Sequence, residues 1–382
     1  MKSLWFFTHF FYVFMKAVQL TTKKQLKQFV KMPFFIYQND DKFPPYMMHD
    51  LFKTLVKLVL VEKTYFAFGV YKDGKMVARA LCTIAPSRQL KLEKCGYFSH
   101  FECIDDQQVA NLLLERLCSL LKEKGASYVE GTYFPFDQDN RRGVQVCGFE
   151  YEPMFLTSYN PPYYQKLLEE FGFKKDFDTV NYLCSYEGYD FEGVEKIKDR
   201  LQKRYGLYVA QADFSQIDRE IADIHHIMCM AHNDVIFQEV PSIAQLKSIV
   251  KGWENFLWQD LILIARKVET NEAVGFVMAV PNFYFVFRKM KGSINPISLL
   301  KMAYYKGKIK SMRIMLQYVV PKYQNTGANY LMYHQMYINA SKRKIDYVES
   351  GTIMEDNLAS RLNNEKAGGK LNKIFRIYGK KL

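Results

Sequence analysis

The chain alternates between stretches where apolar residues recur every second position and stretches where they recur at helical spacing. Thr22 can cap a short helix with Leu26, Phe29 and Val30 on one face, and Pro33 stops it. Residues 65–71 and 76–84 alternate around Asp73-Gly74, which predicts a β-hairpin. A third strand is predicted over 96–103. Asp105 and Asp106 then start a helix with Val109, Leu112, Leu113, Leu117, Leu120 and Leu121 on one face, ended by Gly125. A strand over 127–133, a helix over 164–171 and a strand over 178–185 follow.

The same order of elements then returns. Residues 207–211 predict a strand, and Asp213 or Ser215 can cap a helix with Ile217, Ile221, Ile224 and Met228 on one face. Another helix is predicted over 243–253. Residues 261–268 and 273–280 form a hairpin around Thr270-Asn271. A strand over 312–320, a polar loop, a helix over 327–340, a strand over 346–350, a helix over 356–366 and a strand over 373–378 complete the pattern. Residues 169–182 align with 365–378, sharing Glu169/Glu365, Gly172/Gly368, Lys174/Lys370 and Tyr182/Tyr378. Order and alignment together predict duplication of one α/β unit. The units are residues 17–190 and 191–382, with the boundary in the polar stretch 187–196.

Composition sets limits. A chain of 382 residues with 49% apolar and 16% aromatic content can bury two cores, and its 24% charged content excludes wholesale disorder. Seven cysteines without a C-x-x-C pair argue against a disulfide scaffold or a zinc ribbon. They point to a reducing compartment, so a cytoplasmic location is expected. The formal charge is +13, and it is concentrated: from Ala273 to Ile345 there are twelve Lys and Arg and no Asp or Glu. Soluble surfaces usually mix both signs. An acid-free stretch of this length points to a polyanionic partner: a nucleotide, a nucleic acid or an acidic membrane surface.

Residues 5–14 read WFFTHFFYVF between Lys2 and Lys16. A bilayer span takes ~20 apolar residues, and no small-residue cleavage pattern follows. Residues 1–16 are read as an apolar extension, either a membrane-interface anchor or a stretch ahead of a true start at Met15.

The most informative loop is Val319-Val320-Pro321-Lys322-Tyr323-Gln324-Asn325-Thr326-Gly327-Ala328. A β-branched strand ends at Pro321, which removes a backbone donor, and a helix starts near Gly327. Glycine lets a ligand approach the backbone closely. The free N–H groups and dipole of the helix start favour an anion, so strand, turn and helix make a pyrophosphate cradle.

With these residues in view, the chain resembles the GNAT superfamily of N-acetyltransferases. The family's acyl-CoA loop runs Gln or Arg, two residues, Gly, one residue, then Gly or Ala. Gln324, Gly327 and the small Ala328 fit it, while Asn329 stands at the last small position. The family often has an Asn opening its fourth helix, followed by Tyr-Glu-Lys-x-Gly-Phe. Asn357, Glu365, Lys366 and Gly368 match, but Asn364 replaces the Tyr and Gly369 the Phe. In many members that Tyr protonates the departing thiolate, so Asn364 leaves the general acid unassigned. Nearly everything after Met15 is similar to a bacterial group of tandem GNAT-like proteins (YghO-like). The matching segments are 96–106, Glu355-Asp356-Asn357 and Arg376-Ile377-Tyr378.

The resemblance implies an α/β chain of two tandem GNAT-like (acyl-CoA N-acyltransferase) domains, with mixed, mostly antiparallel sheets flanked by helices. It implies an N-acyltransferase that moves an acyl group from acetyl-CoA or another acyl-CoA to an amine, without a metal. Cosubstrate contacts are expected from Val319, Val320, Gln324, Asn325, Thr326, Gly327 and Ala328, with N–H groups near Val319 and Val320 facing the oxyanion. Glu349 is the candidate base, and Asn357 either orients the cosubstrate or caps its helix. In the first half, Cys103-Ile104-Asp105-Asp106-Gln107 holds the loop position, lacks the glycine and brings carboxylates that repel a pyrophosphate. That half is read as degenerate and as shaping the acceptor site.

The acceptor stays open between a lipid amine, such as a sphingoid base, and a small amine or peptide. Two rival readings remain. Asn364 motivates a non-catalytic GNAT-like module. The charge motivates a basic protein that binds nucleic acid or a membrane surface. Tyr304, Tyr305, Lys306, Lys308 and Lys310 suit either polyanion, and Ile297, Leu299, Leu300, Met302 and Met312 suggest an amphipathic surface helix. His225, Cys229 and His232 have helical spacing but no fourth ligand, which favours packing over a metal. His334 sits on the helix after the loop. Motifs of serine hydrolases, zinc proteases and Walker-type nucleotide sites do not occur.

Overall fold

The computed structural model describes residues 15–87, 89–135, 141–185, 189–231, 240–253 and 256–382. The apolar stretch before Met15, His232 and part of the predicted boundary lie outside the described residues.

The first half runs β1 (Met15–Gln19), α1 (Lys23–Lys31), α2 (Pro33–Ile36), α3 (Met48–Leu55), β2 (Tyr65–Lys72), β3 (Lys75–Ser87) and β4 (Leu92–Cys103). It continues with α4 (Gln107–Glu123), β5 (Tyr128–Gly131), β6 (Val144–Cys147), α5 (Tyr164–Glu170) and β7 (Lys174–Ser185). The second half runs α6 (Phe191–Tyr205), β8 (Leu207–Gln211), α7 (Ile217–Ala231), α8 (Ile243–Trp253), β9 (Ile262–Lys267), β10 (Ala273–Pro281), α9 (Tyr284–Met290) and α10 (Pro296–Lys306). It ends with β11 (Ser311–Val319), α11 (Ala328–Lys342), β12 (Tyr347–Met354), α12 (Leu358–Lys366) and β13 (Lys370–Lys381).

Local signals set many of these boundaries. Thr22 forms a capping box with Gln25 at the start of α1. Pro33 does stop α1, but it also opens α2, because its fixed φ suits a first helical turn. Asp73 and Gly74 both take positive φ in the turn between β2 and β3. The sequence pattern did not foresee α2, α3, α9 or the short β6, nor α6, which begins inside the polar stretch read as the boundary.

The strands form one sheet in the order β1-β2-β3-β4-β5-β13-β7-β12-β11-β10-β9-β8, with β6 beside β13. Among the described residues only β4–β5 and β11–β12 are parallel. The two expected sheets are therefore continuous, and they exchange their last strands. β13, from the second half, pairs with β5, while β7, from the first, pairs with β12. β7 and β13 then pair antiparallel with each other, and Thr179 lies opposite Phe375. These are equivalent positions in the aligned repeat, so the local twofold axis of the duplication passes between them. Asp178 and Arg376 close a two-pronged ion pair beside it, at 2.9 and 3.0 Å.

Helices cover both faces of the sheet. In the first half, α4 buries Leu113, Leu114 and Leu117 against Phe68 and Val129, while Leu26, Phe29 and Leu55 pack with Tyr97. In the second, α11 buries Met332 and Met336 against Leu263 and Val277, while Ile227 packs with Phe276 and Phe283. Each completely buried side chain of this kind contributes roughly 1.5–3 kcal/mol.

Candidate active site

In each half the two parallel strands pair briefly and then part. β11 and β12 pair from Ser311–Ile314 against Tyr347–Ser350 and then diverge. Met315 is skipped in the pairing of β11 with β10, a bulge placed where the strands separate. The opening is a cleft of about 700 Å³, in the range of ligand sites. Its walls include Met315, Gln317, Val319, Gln324, Asn325, Tyr333, Thr352, Asn357 and Asn364.

The expected cosubstrate residues fall into two groups. Val319, Gln324 and Asn325 line the cleft. Val320, Thr326, Gly327 and Ala328 do not line it and build the turn behind it. The N–H of Val320 donates to Val274 O at 2.9 Å, so it is not available to an oxyanion. Backbone groups alternate along a strand, which turns the N–H of Val319 toward the opening. The Gln324 amide reaches Val319 O at 3.4 Å, and the Thr326 hydroxyl closes the turn on Tyr323 O at 2.7 Å. Gly327 is the N-cap of α11, with φ of 83°, and no side chain caps the helix. A Cβ at Gly327 would meet the Leu201 side-chain end of α6 at 2.7 Å, which can shift, so it is the left-handed backbone that calls for glycine.

The corresponding place in the first half is closed. Asp106 is the N-cap of α4, and its carboxylate accepts from the N–H groups of Gln108 and Val109. The helix start that would hold a phosphate holds its own carboxylate, with Lys72 at 3.2 Å. The gap between β4 and β5 shrinks to about 60 Å³. There Glu102 accepts from the hydroxyls of Tyr37 and Tyr164 at 2.9 and 2.7 Å, and Arg79 approaches it at 3.5 Å. Burial raises the Glu102 pKa against the opposing pull of Arg79.

Glu349 is placed differently from a free base. It is fully buried on β12 and pairs with Lys373 of β13, reaching across β7. Asn181 and Asn372 each donate to it at 2.8 Å, and Lys373 also donates to Glu152 O at 2.7 Å. Its neighbours Ser350 to Thr352 line the cleft, but Glu349 does not. Asn357 caps α12, accepting from Ser360 N at 3.0 Å, and it also lines the cleft. Asn364 is buried and donates to Ser360 O at 2.9 Å.

Two residues missed in the sequence shape the site. Arg313, buried on β11, donates to Gly351 O and Thr352 Oγ1 on β12, and to the carbonyls of Phe155 and Leu156. It holds the parted strand and ties a loop of the first half to the cleft. Tyr333, on α11, lines both the cleft and a small apolar cavity shared with Asn364, Cys184 and Val348. Its hydroxyl donates to Gln317 Oε1, and burial raises its pKa. The helical spacing from Asn329 to Tyr333 was the signal available for it.

Among the described residues no group of His, Cys, Asp and Glu could hold a metal ion. His225 and Cys229 approach each other at 3.7 Å. His334 is buried and joins Tyr189 and Glu195, which pins α6 to α11.

No family model matches the chain. It is 27% identical to the bacterial ceramide synthase of Caulobacter vibrioides over 298 residues, 75% of each chain. It is 24% identical to protein YghO of Escherichia coli over 378 residues, 94% of each chain. A tandem GNAT protein from the clavulanic acid biosynthesis pathway matches 96% of this chain and 98% of its own, with a TM-score of 0.55 and 10% identity. The glucosamine N-acetyltransferase region of a fungal multi-domain β-N-acetylglucosaminidase also matches 96% of this chain, with a TM-score of 0.56 and 12% identity. This chain spans 38% of that protein. With its parted parallel strands and its duplicated order of elements, the chain is a tandem GNAT-fold protein, similar in sequence to YghO.

Proposed function

We propose that the protein is an N-acyltransferase that takes an acyl group from acyl-CoA in the second-half cleft and passes it to an amine. The observation that carries this reading is the contrast between the two helix starts. α11 presents Gly327 and no side-chain cap, whereas α4 fills the same place with Asp106. The first suits a pyrophosphate and the second repels one. The length of the cleft, from Gln324 to Asn364, suits the extended arm of the cosubstrate between the parted strands.

In this reading the amine nitrogen attacks the thioester carbonyl, the carbon–nitrogen bond forms and the carbon–sulfur bond breaks. The Val319 N–H faces the developing oxyanion. The Tyr333 hydroxyl, neutral and on the face covered by α11 and α12, gives its proton to the leaving thiolate. It takes the task that Asn364 cannot perform. Glu349 acts as a positioning residue that fixes the strand carrying Ser350 to Thr352, while solvent accepts the proton of the amine and returns one to Tyr333.

The acceptor we favour is a lipid amine with a long aliphatic chain. The resemblance to a bacterial ceramide synthase supports it, as do Met315, Leu316, Ile353, Met354 and Leu358 along the cleft. Calorimetry with acetyl-CoA and a long-chain acyl-CoA, on wild type and Gly327→Asp, tests the reading. Binding that the substitution removes supports the cleft. Absence of binding to either thioester in a folded protein would sink the reading. Tight binding without turnover on lipid and small amines would favour a non-catalytic module.

A further inference from the structure

The helix α10 is amphipathic in the unusual sense: its apolar stripe faces outward. Ser298, Met302 and Tyr305 turn toward the body, where the Tyr305 ring packs on Phe285 at 5.8 Å. Ile297, Leu300 and Tyr304 share the opposite face by their spacing, at 68, 72 and 60% exposure. Ile294 and Leu299 are exposed beside them. The helix is not long or apolar enough to cross a membrane, nor is any other among the described residues.

Along this segment the charge has one sign, and the nearest carboxylates come from outside it, Asp346 beside Lys310 and Glu152 beside Arg288. Lys289, Lys291, Lys301, Lys308 and Lys310 are all exposed, and the whole segment from Ala273 to Ile345 contributes no carboxylate. Arg288, at the edge of the patch, pairs with Glu152. Exposed aliphatic side chains ringed by lysines complement a surface that is apolar below and anionic above. A nucleic acid fits less well. Its bases need open aromatic faces, yet Lys308 already sits 3.8 Å over the Tyr304 ring, and Ile297 and Leu300 offer a strand nothing.

We infer that the outer face of α10 docks the protein on an anionic lipid bilayer. Ile297, Leu300 and Tyr304 enter the headgroup boundary, and Lys291, Lys301 and Lys308 meet lipid phosphates. The inference rests on this surface alone and does not depend on the chemistry assigned to the cleft.

The test is co-sedimentation of the full chain with vesicles of phosphatidylcholine, alone or mixed with phosphatidylglycerol. Wild type is expected to sediment with the mixed vesicles, less with the neutral ones, and less in high salt. Leu300→Asp and the pair Lys301→Glu with Lys308→Glu are each expected to lower partitioning about tenfold or more. Ile297→Asp is a second variant of the apolar stripe. Matching thermal unfolding confirms that the variants fold, since all these side chains are exposed. Vesicle binding equal in wild type and variants would place the contact elsewhere, the apolar stretch 5–14 included, and overturn the inference. So would absence of vesicle binding, or binding to single-stranded RNA that outcompetes vesicles and survives Leu300→Asp.

Discussion

Asp106 and Gly327 occupy the same place in the two halves, each at the N-cap of the helix that follows a parting strand. One supplies an anion to its helix and the other leaves the helix to receive one. Gly327→Asp is expected to weaken acyl-CoA binding about tenfold or more, because a helix start favours an anion by up to ~2 kcal/mol. Gly327→Ala reports the part due to φ strain and contact with Leu201. Asp106→Ala is expected to cost about 1 kcal/mol of stability and to leave acyl-CoA affinity unchanged. Calorimetry and denaturant melts read both.

Tyr333→Phe is expected to lower kcat about 100-fold, the scale of lost general acid catalysis, with acyl-CoA affinity preserved. Single-turnover measurements isolate the chemical step. An unchanged rate in that step would remove Tyr333 from the mechanism.

The ion pair of Glu349 with Lys373 joins β12 to β13 across the strand from the other half. Both side chains are 1% exposed. Glu349→Ala leaves the ammonium buried without its partner and is expected to cost about 3–5 kcal/mol. Replacing both residues with apolar ones of similar size is expected to recover much of that loss. A Glu349→Ala protein of unchanged stability and lost activity would return Glu349 to the role of base.

Glu130 holds the equivalent position in the first half with the opposite solution. Burial first, and the Asp176 carboxylate second, raise it to about 7. An unfolded Glu titrates near ~4.3, so below that pH both states hold the proton and the stabilisation is fully present. As pH rises toward 7 the unfolded chain releases its proton first, and stability falls. Glu130→Gln stays neutral. Urea melts are expected to show it gaining on wild type by up to about 3 kcal/mol between about pH 4 and pH 8. A constant difference across that range would contradict the assignment.

Signals that act over a few residues were legible in the sequence. Thr22 with Gln25, the Asp73-Gly74 turn and the cap at Asn357 each satisfy local backbone groups, so their chemistry lies beside them in the chain. The aligned segments 169–182 and 365–378 anticipated that β7 and β13 are equivalent strands. They did not show the exchange, because equivalent strands carry the same pattern and either fits either slot. A second repeat went unread: Tyr128-Val129-Glu130 and Tyr347-Val348-Glu349 occupy matching strands. Glu349 looked free because Lys373 reaches it from another strand, and no local pattern encodes that meeting. Tyr333 looked like one more aromatic on a helix whose buried residues lie on several faces.

The exchanged strands also govern how the protein can assemble as it is made. β5 is made early, but the strand that covers its edge, residues 370–381, emerges only after the other elements of the second half. Until then the nascent first half presents an open strand edge, the kind of surface that invites aggregation. Pairings between such distant segments are slow to form, so chaperone demand should persist until residues 370–381 have emerged. Once in place, the same strands leave neither half a way to unfold by itself. Heat or a nick within 370–381 is then felt by both halves at once.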